Sequence, residues 1–127
     1  MASINILNLY ELANQLIDKC RVNNYKLAIA ESCTGGLISS VITSVPGSSD
    51  IFDCSFITYS NKSKKKFLNV SENVLNSFGA VSQEVVVEMI TGLRKKTDSD
   101  ILLAISGIAG PGGGTKNKPE GLVWISY

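Results

Sequence analysis

The 127-residue sequence contains no histidine, so the most common general base and the most common metal ligand are both missing. A serine nucleophile in this chain would need a base other than imidazole. The three cysteines, Cys20, Cys33 and Cys54, match no zinc-site spacing, and without histidine they cannot complete a four-ligand site. We therefore expect no metal site and interpret Cys20 and Cys54 as small buried apolar residues.

The sequence also lacks a long apolar run, a secretory leader and a large excess of charge. No stretch has the length of a membrane span, and the N-terminus has no basic region followed by an apolar one. A formal net charge of +1 gives no argument for a nucleic-acid partner. We therefore expect one soluble domain, residues 1–127, with reduced thiols in a cytoplasm.

Helical and strand patterns alternate along the chain, which predicts an α/β fold with a sheet covered on both faces. Predicted helices cover residues 4–22, 35–45, a short segment capped by Asn61, 72–78, and 83–97 with Ser82 as its N-cap. Predicted strands cover residues 26–30, 52–59, 101–105 and 122–127, and a glycine-rich loop covers 106–121. The sequence ends inside a strand-like segment, which leads us to expect a further element in the complete domain.

The first polar segment after a predicted strand is Glu31–Gly36, with the sequence Glu-Ser-Cys-Thr-Gly-Gly. One interpretation is a serine nucleophile, Ser32, beside backbone amides that stabilise developing negative charge. The alternative is a simple strand-to-helix turn with Ser32 or Thr34 as an N-cap. A thiolate of Cys33 in the attacking role is a further alternative, since a helix N-terminus activates thiols.

The second polar segment is Tyr59–Lys66, which contains four lysines. Most of them are expected on a solvated helix face, but a lysine desolvated in a pocket loses its proton readily and can act as a base. Tyr59 at the strand end could relay a proton. Without histidine, a Ser–Lys or Ser–Tyr–Lys set is the remaining common way to activate a serine.

The third segment, Ser106–Thr115, contains five glycines, which indicates close approach of the backbone to a ligand or a mobile lid. It matches neither a Walker A loop nor a dinucleotide-binding fingerprint. Its backbone amides could hold a phosphate.

Taken in order and spacing, these segments resemble one family. They are Ala30–Gly36, Pro46–Ser49, Thr58–Asn61, Gly79–Ser82 and Ser106–Pro111, and Lys118–Trp124 adds to them. The chain is similar to the C-terminal domain of the CinA family of competence/damage-inducible proteins, whose stand-alone members are nicotinamide-nucleotide amidases. The resemblance covers nearly the whole chain and implies a three-layer α/β/α sandwich with a mixed sheet.

The resemblance also implies deamidation of nicotinamide mononucleotide to nicotinic acid mononucleotide and ammonia, without metal or cofactor. Carried over by position, Ser32 is the nucleophile, Lys64 is the base, and Tyr59 assists proton transfer or orients Lys64. Backbone amides near Thr34, Gly35 and Gly36, or in the loop from Gly107 to Gly110, would stabilise the oxyanion. The expected substrate-binding residues lie in the same loops: Glu31, Cys33, Thr34, Gly35, Gly36, Asn61, Ser106, Gly107, Ala109 and Gly110.

The sequence departs from the family pattern after its last strand. Family domains continue through an arginine-containing motif and a C-terminal helix, and the resemblance implies that one sheet face is less covered without them. A nucleotide-binding module without turnover and a decayed homologue are therefore the alternatives to an active amidase. We further expect a small nucleotide as the partner, no nucleic acid or membrane contact, and a homo-oligomer.

Overall fold

A computed structural model describes residues 6–127 of the chain. Within these residues it contains five α-helices, four β-strands and a single-turn 3-10 helix at Ser48–Asp50. The helices are α1 (Ile6–Val22), α2 (Leu37–Thr43), α3 (Asn61–Leu68), α4 (Glu72–Phe78) and α5 (Gln83–Arg94). The strands are β1 (Leu27–Glu31), β2 (Phe52–Ile57), β3 (Ile101–Gly107) and β4 (Val123–Ser126).

The four strands form one mixed sheet in the order β2-β1-β3-β4. Strand β1 runs parallel to both β2 and β3, whereas β4 is antiparallel to β3. In this register Glu31 lies between Ile57 and Ile105, so the carboxyl ends of three parallel strands meet at one edge of the sheet. The predicted mixed sheet is confirmed.

Helices cover both faces of the sheet, as the alternation of side chains along β1 requires. Ala28 and Ala30 face a core formed with α3, α4 and α5, and Leu27 and Ile29 face a second core formed with α1 and α2. All four residues are buried. The predicted three-layer α/β/α sandwich is therefore confirmed.

Helix α3, which carries the lysine cluster, packs unusually close to α5. A Cβ atom added at Gly92 of α5 would lie 1.8 Å from the backbone oxygen of Leu68 at the end of α3. Only glycine permits this approach, since real Cβ contacts are never that short. The contact anchors the last turn of α3 against α5, and so fixes where Lys64 enters the interior.

Several predicted boundaries differ from the bounds in the structure. Gly35 and Gly36 have φ angles of +60° and +100°, so α2 begins at Leu37 and not at residue 35. Strand β3 extends two residues beyond its prediction because Ser106 and Gly107 pair with β4. Helix α5 ends at Arg94, before the predicted residue 97. Residues 4 and 5 of the first predicted helix lie outside the described residues.

Helix caps provide one correction and one confirmation. Ser60, not Asn61, is the N-cap of α3, because its hydroxyl accepts from Ser63 N–H while the Ser63 side chain bonds back to Ser60 in a capping box. Asn61 is instead the first helical residue. Ser82 caps α5 as predicted, with its side chain accepting from Val85 N–H.

Strand β4 is the least covered strand of the sheet. Trp124 packs against the α5 core, whereas Val123 and Ile125, which point to the other face, are 44% and 54% exposed. In the part of the chain that the structure describes, no helix combines the length and the apolar character that crossing a membrane requires.

Candidate active site

The candidate site lies at the carboxyl edge of the sheet, where β1 and β2 end side by side. Ser32 directly follows β1, and its N–H donates to the carbonyl of Ile105 at 3.1 Å. Thr58 directly follows β2, and its N–H donates to the carbonyl of Glu31 at 2.8 Å. Both loops therefore leave the sheet from fixed backbone positions.

Lys64 is a fully buried lysine that points from α3 into this edge. Its Nζ donates to Ser32 Oγ at 2.9 Å, to the carbonyl of Thr58 at 2.7 Å and to the carbonyl of Tyr59 at 3.1 Å. Three acceptors match the three hydrogens of an ammonium group. The three bonds hold Nζ against the serine hydroxyl.

The charge of Lys64 is poorly stabilised in this position. None of its three acceptors is a carboxylate, and within residues 6–127 it forms no ion pair. Burial therefore lowers the pKa of Lys64 from 10.5 to about 8, because desolvation penalises the ammonium form. The interaction with Cys33 acts in the opposite direction without offsetting burial. With a pKa of about 8, about half of this amine is neutral at pH 8 and about a tenth at pH 7, and the neutral amine is the form that a general base requires.

Ser32 is almost fully buried, with 6% of its surface exposed. Its hydroxyl oxygen faces Lys64 Nζ across a hydrogen bond of normal length. Such a pair, a serine oxygen held on an amine of lowered pKa, is the arrangement that activates a serine nucleophile without histidine. Ser32 does not serve as the N-cap of α2, because that position belongs to Gly36, which makes no side-chain cap.

Cys33 is half-buried beside the same pair. Burial raises the pKa of its thiol, although the amides of Cys33 and Thr34 and the charge of Lys64 act to lower it. The net shift keeps the sulfur protonated near neutral pH, and a thiol is a much weaker nucleophile than a thiolate. This environment favours Ser32 over Cys33 as the attacking group.

Glu31 does not have the exposed position that direct contact with substrate requires. Its side chain is fully buried, and both carboxylate oxygens accept hydrogen bonds from the segment Thr34–Ser39. Burial acts to raise the pKa of this carboxyl, but the bonds from Ser39, Thr34 and Ile38 outweigh it and hold the pKa below its ordinary value. Glu31 thus holds the start of α2 in place. Its buried carboxylate has no exposed surface for the predicted contact with substrate.

Hydrogen bonds to Glu31 and within the turn determine which backbone amides near Ser32 already have an oxygen acceptor. Gly36 N–H donates to the Glu31 carboxylate, and Gly35 N–H donates to the carbonyl of Ser32. Among the described residues, no oxygen accepts from the N–H of Cys33 or Thr34, and both amides lie against the Cys33 thiol. Of the amides predicted for an oxyanion site, Gly35 and Gly36 are therefore occupied by oxygen acceptors, whereas the amides of Thr34 and its neighbour Cys33 bond only to the Cys33 sulfur, a weak acceptor.

Tyr59 contacts the pair through its backbone, not through its phenol. Its carbonyl accepts from Lys64, while the residue as a whole is 71% exposed. Thr58 supplies the second carbonyl and is itself 1% exposed. The sequence analysis did not identify Thr58 as a site residue, because every residue has a backbone carbonyl and the residue type does not show which carbonyl binds a lysine. Asn61 lies exposed on the first turn of α3.

The glycine-rich segment lies beside the candidate site at its first residues, and Glu120 holds its later residues. Gly107 lies against the site, since a Cβ atom there would be 3.1 Å from Cys33 Sγ. Ser106 is buried, and its hydroxyl donates to the carbonyl of Ala80 at 2.7 Å, which fixes β3 to the α4–α5 connection. Ala109 is exposed, and Gly110 lies against Glu120, whose carboxylate accepts from Gly112 N–H at 2.6 Å.

The comparison with known protein families agrees with this geometry. The family model described as the CinA C-terminal domain matches residues 9–127. The chain belongs to the CinA C-terminal domain family. The match extends over α1 to β4 and so includes every residue of the site described above.

Curated relatives of this CinA C-terminal domain are longer proteins. A CinA-like protein of Thermotoga neapolitana is 54% identical over 103 residues, which are 81% of this chain and 25% of the relative. A CinA-like protein of Prochlorococcus marinus subsp. pastoris is 53% identical over 115 residues, which are 91% of this chain and 27% of the relative. The chain thus spans about a quarter of the length of these relatives.

Solved structures of CinA proteins share the fold. The competence/damage-inducible protein CihA of Agrobacterium tumefaciens superposes with a TM-score of 0.89 at 40% identity, over 92% of this chain and 71% of that one. A CinA superfamily protein of Escherichia coli superposes with a TM-score of 0.87 at 34% identity, over 92% of this chain and 68% of that one.

Proposed function

We propose that this CinA C-terminal domain is an amidohydrolase that deamidates nicotinamide mononucleotide to nicotinic acid mononucleotide and ammonia. The observation that carries the proposal is the buried Lys64 Nζ, held 2.9 Å from Ser32 Oγ without a carboxylate partner. A nucleotide-binding module would have no need to desolvate a lysine against a serine, and the cost of burying that charge indicates a chemical role.

The proposed reaction begins with a proton transfer. Neutral Lys64 accepts the proton of the Ser32 hydroxyl while Oγ attacks the carboxamide carbon of the substrate. The tetrahedral intermediate then collapses, and the proton on Lys64 passes to the leaving nitrogen, so that ammonia departs and an ester to Ser32 remains. Lys64 next takes a proton from a water molecule as that water attacks the ester, and it returns the proton to Ser32 Oγ when the second tetrahedral intermediate collapses. The carboxylic acid product loses its proton to solvent and leaves as the carboxylate.

The amides of Cys33 and Thr34, which bond only to the weakly accepting Cys33 sulfur, are the proposed donors to the oxyanion of the intermediate. They belong to the residues that directly follow the nucleophile, and no oxygen of the described chain occupies them. Removing one donor of this kind typically slows an enzyme by about a hundredfold or more. In this proposal Gly107 gives the substrate close access to the backbone beside Cys33, and the carbonyl of Tyr59 orients the base.

The proposal is tested with the purified chain and nicotinamide mononucleotide at pH 8, in the presence of a metal chelator. Ammonia and nicotinic acid mononucleotide are measured together, the first by a coupled assay and the second by chromatography. We expect equal amounts of both products from the wild-type chain, and a loss of at least about a thousandfold in Ser32→Ala.

Two neighbouring residues provide matched controls. Ser40 is an exposed serine of α2, and Lys65 is a lysine of α3 whose side chain is 41% exposed and pairs with Glu72. Ser40→Ala and Lys65→Met should keep wild-type turnover, whereas Ser32→Ala and Lys64→Met should lose it. Equal background rates in the wild-type chain and Ser32→Ala would refute the proposal, and a ligand-induced thermal shift without product would point to a binding module.

A further inference from the structure

The carboxylate of Glu31 gathers an unusually complete set of donors from one short segment. Its Oε2 accepts from Thr34 Oγ1 at 2.6 Å, from Gly36 N at 3.1 Å and from Ile38 N at 3.2 Å. Its Oε1 accepts from Ser39 N at 2.9 Å and from the Ser39 hydroxyl. Five donors on two oxygens use the full accepting capacity of a carboxylate and leave no part of it for a ligand.

The backbone of Glu31 is fixed as firmly as its side chain. The residue is the last one of β1 and is paired on both sides, with Ile57 of β2 and with Ile105 of β3. Its carbonyl also accepts from Thr58 N–H, whose own carbonyl binds Lys64. Glu31 therefore connects the rigid sheet edge to the turn that carries Ser32 and to the loop that holds the base.

The donors also determine the shape of the turn around the nucleophile. Residues 32–36 cross from β1 to α2 through two left-handed glycines, and within this turn the N–H of Gly35 donates to the carbonyl of Ser32 at 3.0 Å. By binding Thr34, Gly36, Ile38 and Ser39, the carboxylate closes the turn and leaves the amides of Cys33 and Thr34 without an oxygen acceptor.

We propose that Glu31 is a positioning residue for the amide hydrolysis, which holds the turn from Ser32 to Ser39 so that Ser32 Oγ meets Lys64 and no oxygen of the described chain occupies the Cys33 and Thr34 amides. The expected effect on kcat rests on the proposed function. The expected effect on the order of the turn does not, because it can be measured without substrate.

The variant Glu31→Gln tests the proposal with almost no change in size. The glutamine amide presents two hydrogens where a carboxylate oxygen accepted. The hydroxyl of Ser39 or Thr34 can rotate and accept one of them, but at least one backbone N–H then faces another donor, that of Ser39 on the Oε1 side or those of Gly36 and Ile38 on the Oε2 side. The turn must shift to relieve this conflict. Displacing a nucleophile by a fraction of an ångström to an ångström costs about 10- to 100-fold in rate, so we expect kcat to fall by at least about tenfold while KM changes little.

Glu88→Gln is the matched control, because Glu88 plays a comparable structural part away from Ser32. Its carboxylate, on α5, accepts from the N–H of Ser71 at 2.6 Å and from the Ser71 hydroxyl at 3.1 Å, at the start of α4. We expect Glu88→Gln to lower thermal stability but to leave kcat at the wild-type value. An equal fall of kcat in both variants would show that Glu31 acts only on overall stability, and would overturn the proposal.

Two readouts separate this inference from the proposed function. Hydrogen exchange at the amides of Gly36, Ile38 and Ser39, and the rate of Cys33 alkylation mapped by mass spectrometry, need no substrate. Both should rise in Glu31→Gln and stay at wild-type values in Glu88→Gln. If the wild-type chain releases no ammonia but these changes occur, the proposed function fails and the structural part of the inference stands.

If Glu31→Gln does not fold, the milder variant Ser39→Ala tests the same proposal. It removes one of the five donors and leaves the carboxylate in place. We expect a smaller fall in kcat, accompanied by faster exchange at Gly36 and Ile38. A folded Ser39→Ala or Glu31→Gln chain with wild-type kcat and wild-type exchange would overturn the inference.

Discussion

Replacing Lys64 by methionine should reveal the free-energy cost of burying its charge. The pKa of Lys64 is about 8 in the folded chain, and in the unfolded chain it returns to 10.5. At about 1.4 kcal/mol for each pH unit, this difference corresponds to about 3 kcal/mol of folding free energy. Below pH 8 the folded chain carries this cost in full, because the lysine must be buried as an ammonium ion.

The sign of the pH dependence follows from proton binding in the two states. Below pH 8 Lys64 is protonated in both, so its contribution does not vary with pH. Between pH 8 and 10.5 the unfolded chain holds the proton and the folded chain does not, so a rise in pH stabilises the folded chain. The stability of the wild-type chain relative to Lys64→Met should therefore increase by about 2 to 3 kcal/mol from pH 7 to pH 10.

Urea unfolding of both chains at pH 7, 8, 9 and 10, followed by circular dichroism, measures this difference. Subtracting the variant cancels the titration of the other lysines, the tyrosines and the cysteines. Lys65→Met is the control and should show no such increase, because its side chain is 41% exposed. A difference that stays flat or falls over this range would refute the assignment of the lowered pKa to Lys64. Ammonia release by the wild-type chain should also rise with pH, with its midpoint near pH 8, because only the neutral form of Lys64 can accept the proton of Ser32.

Three further predictions concern residues around the pair. Cys33→Ser should retain most of the turnover, because the raised pKa of this thiol disfavours it as nucleophile; a loss equal to that of Ser32→Ala in the ammonia assay would contradict this. Tyr59→Phe should also stay near wild type in the same assay, because the carbonyl and not the phenol binds Lys64; an inactive Tyr59→Phe chain would mean that the phenol takes part in proton transfer. Gly92→Ala should destabilise the fold by about 2 kcal/mol or more, because its Cβ would collide with the Leu68 carbonyl, and an unchanged urea midpoint would speak against this close packing.

The fold could be predicted from the sequence because each layer has its own periodic signal. The apolar run in β1 alternates between two buried faces, and the helical spacing in α1 and α5 marks the elements that cover them. Some ends could not be predicted, because they depend on partners distant in sequence. Strand β3 extends to Gly107 only because β4 returns beside it.

The sequence predicts the parts of the site that depend on the type of side chain, but not those that depend on how the backbone is arranged. The missing histidine indicates a lysine or a tyrosine as the base for Ser32, the family resemblance selects Lys64 among the four lysines, and the structure brings the side chains of Ser32 and Lys64 together. The spacing gave no indication that Glu31 turns inward toward α2, because a glutamate after a strand is equally compatible with solvent or substrate. The backbone contributions of Thr58 and Tyr59 depend on how the β2–α3 loop bends, which residue type does not encode.

The most direct test of the central claim is the rate of ammonia release from nicotinamide mononucleotide by the wild-type chain and by Ser32→Ala at pH 8. The account predicts steady release by the wild-type chain and only the uncatalysed background in the variant, with both chains equally folded. Release at the same rate by both chains would contradict the assignment of Ser32 as the nucleophile held by Lys64.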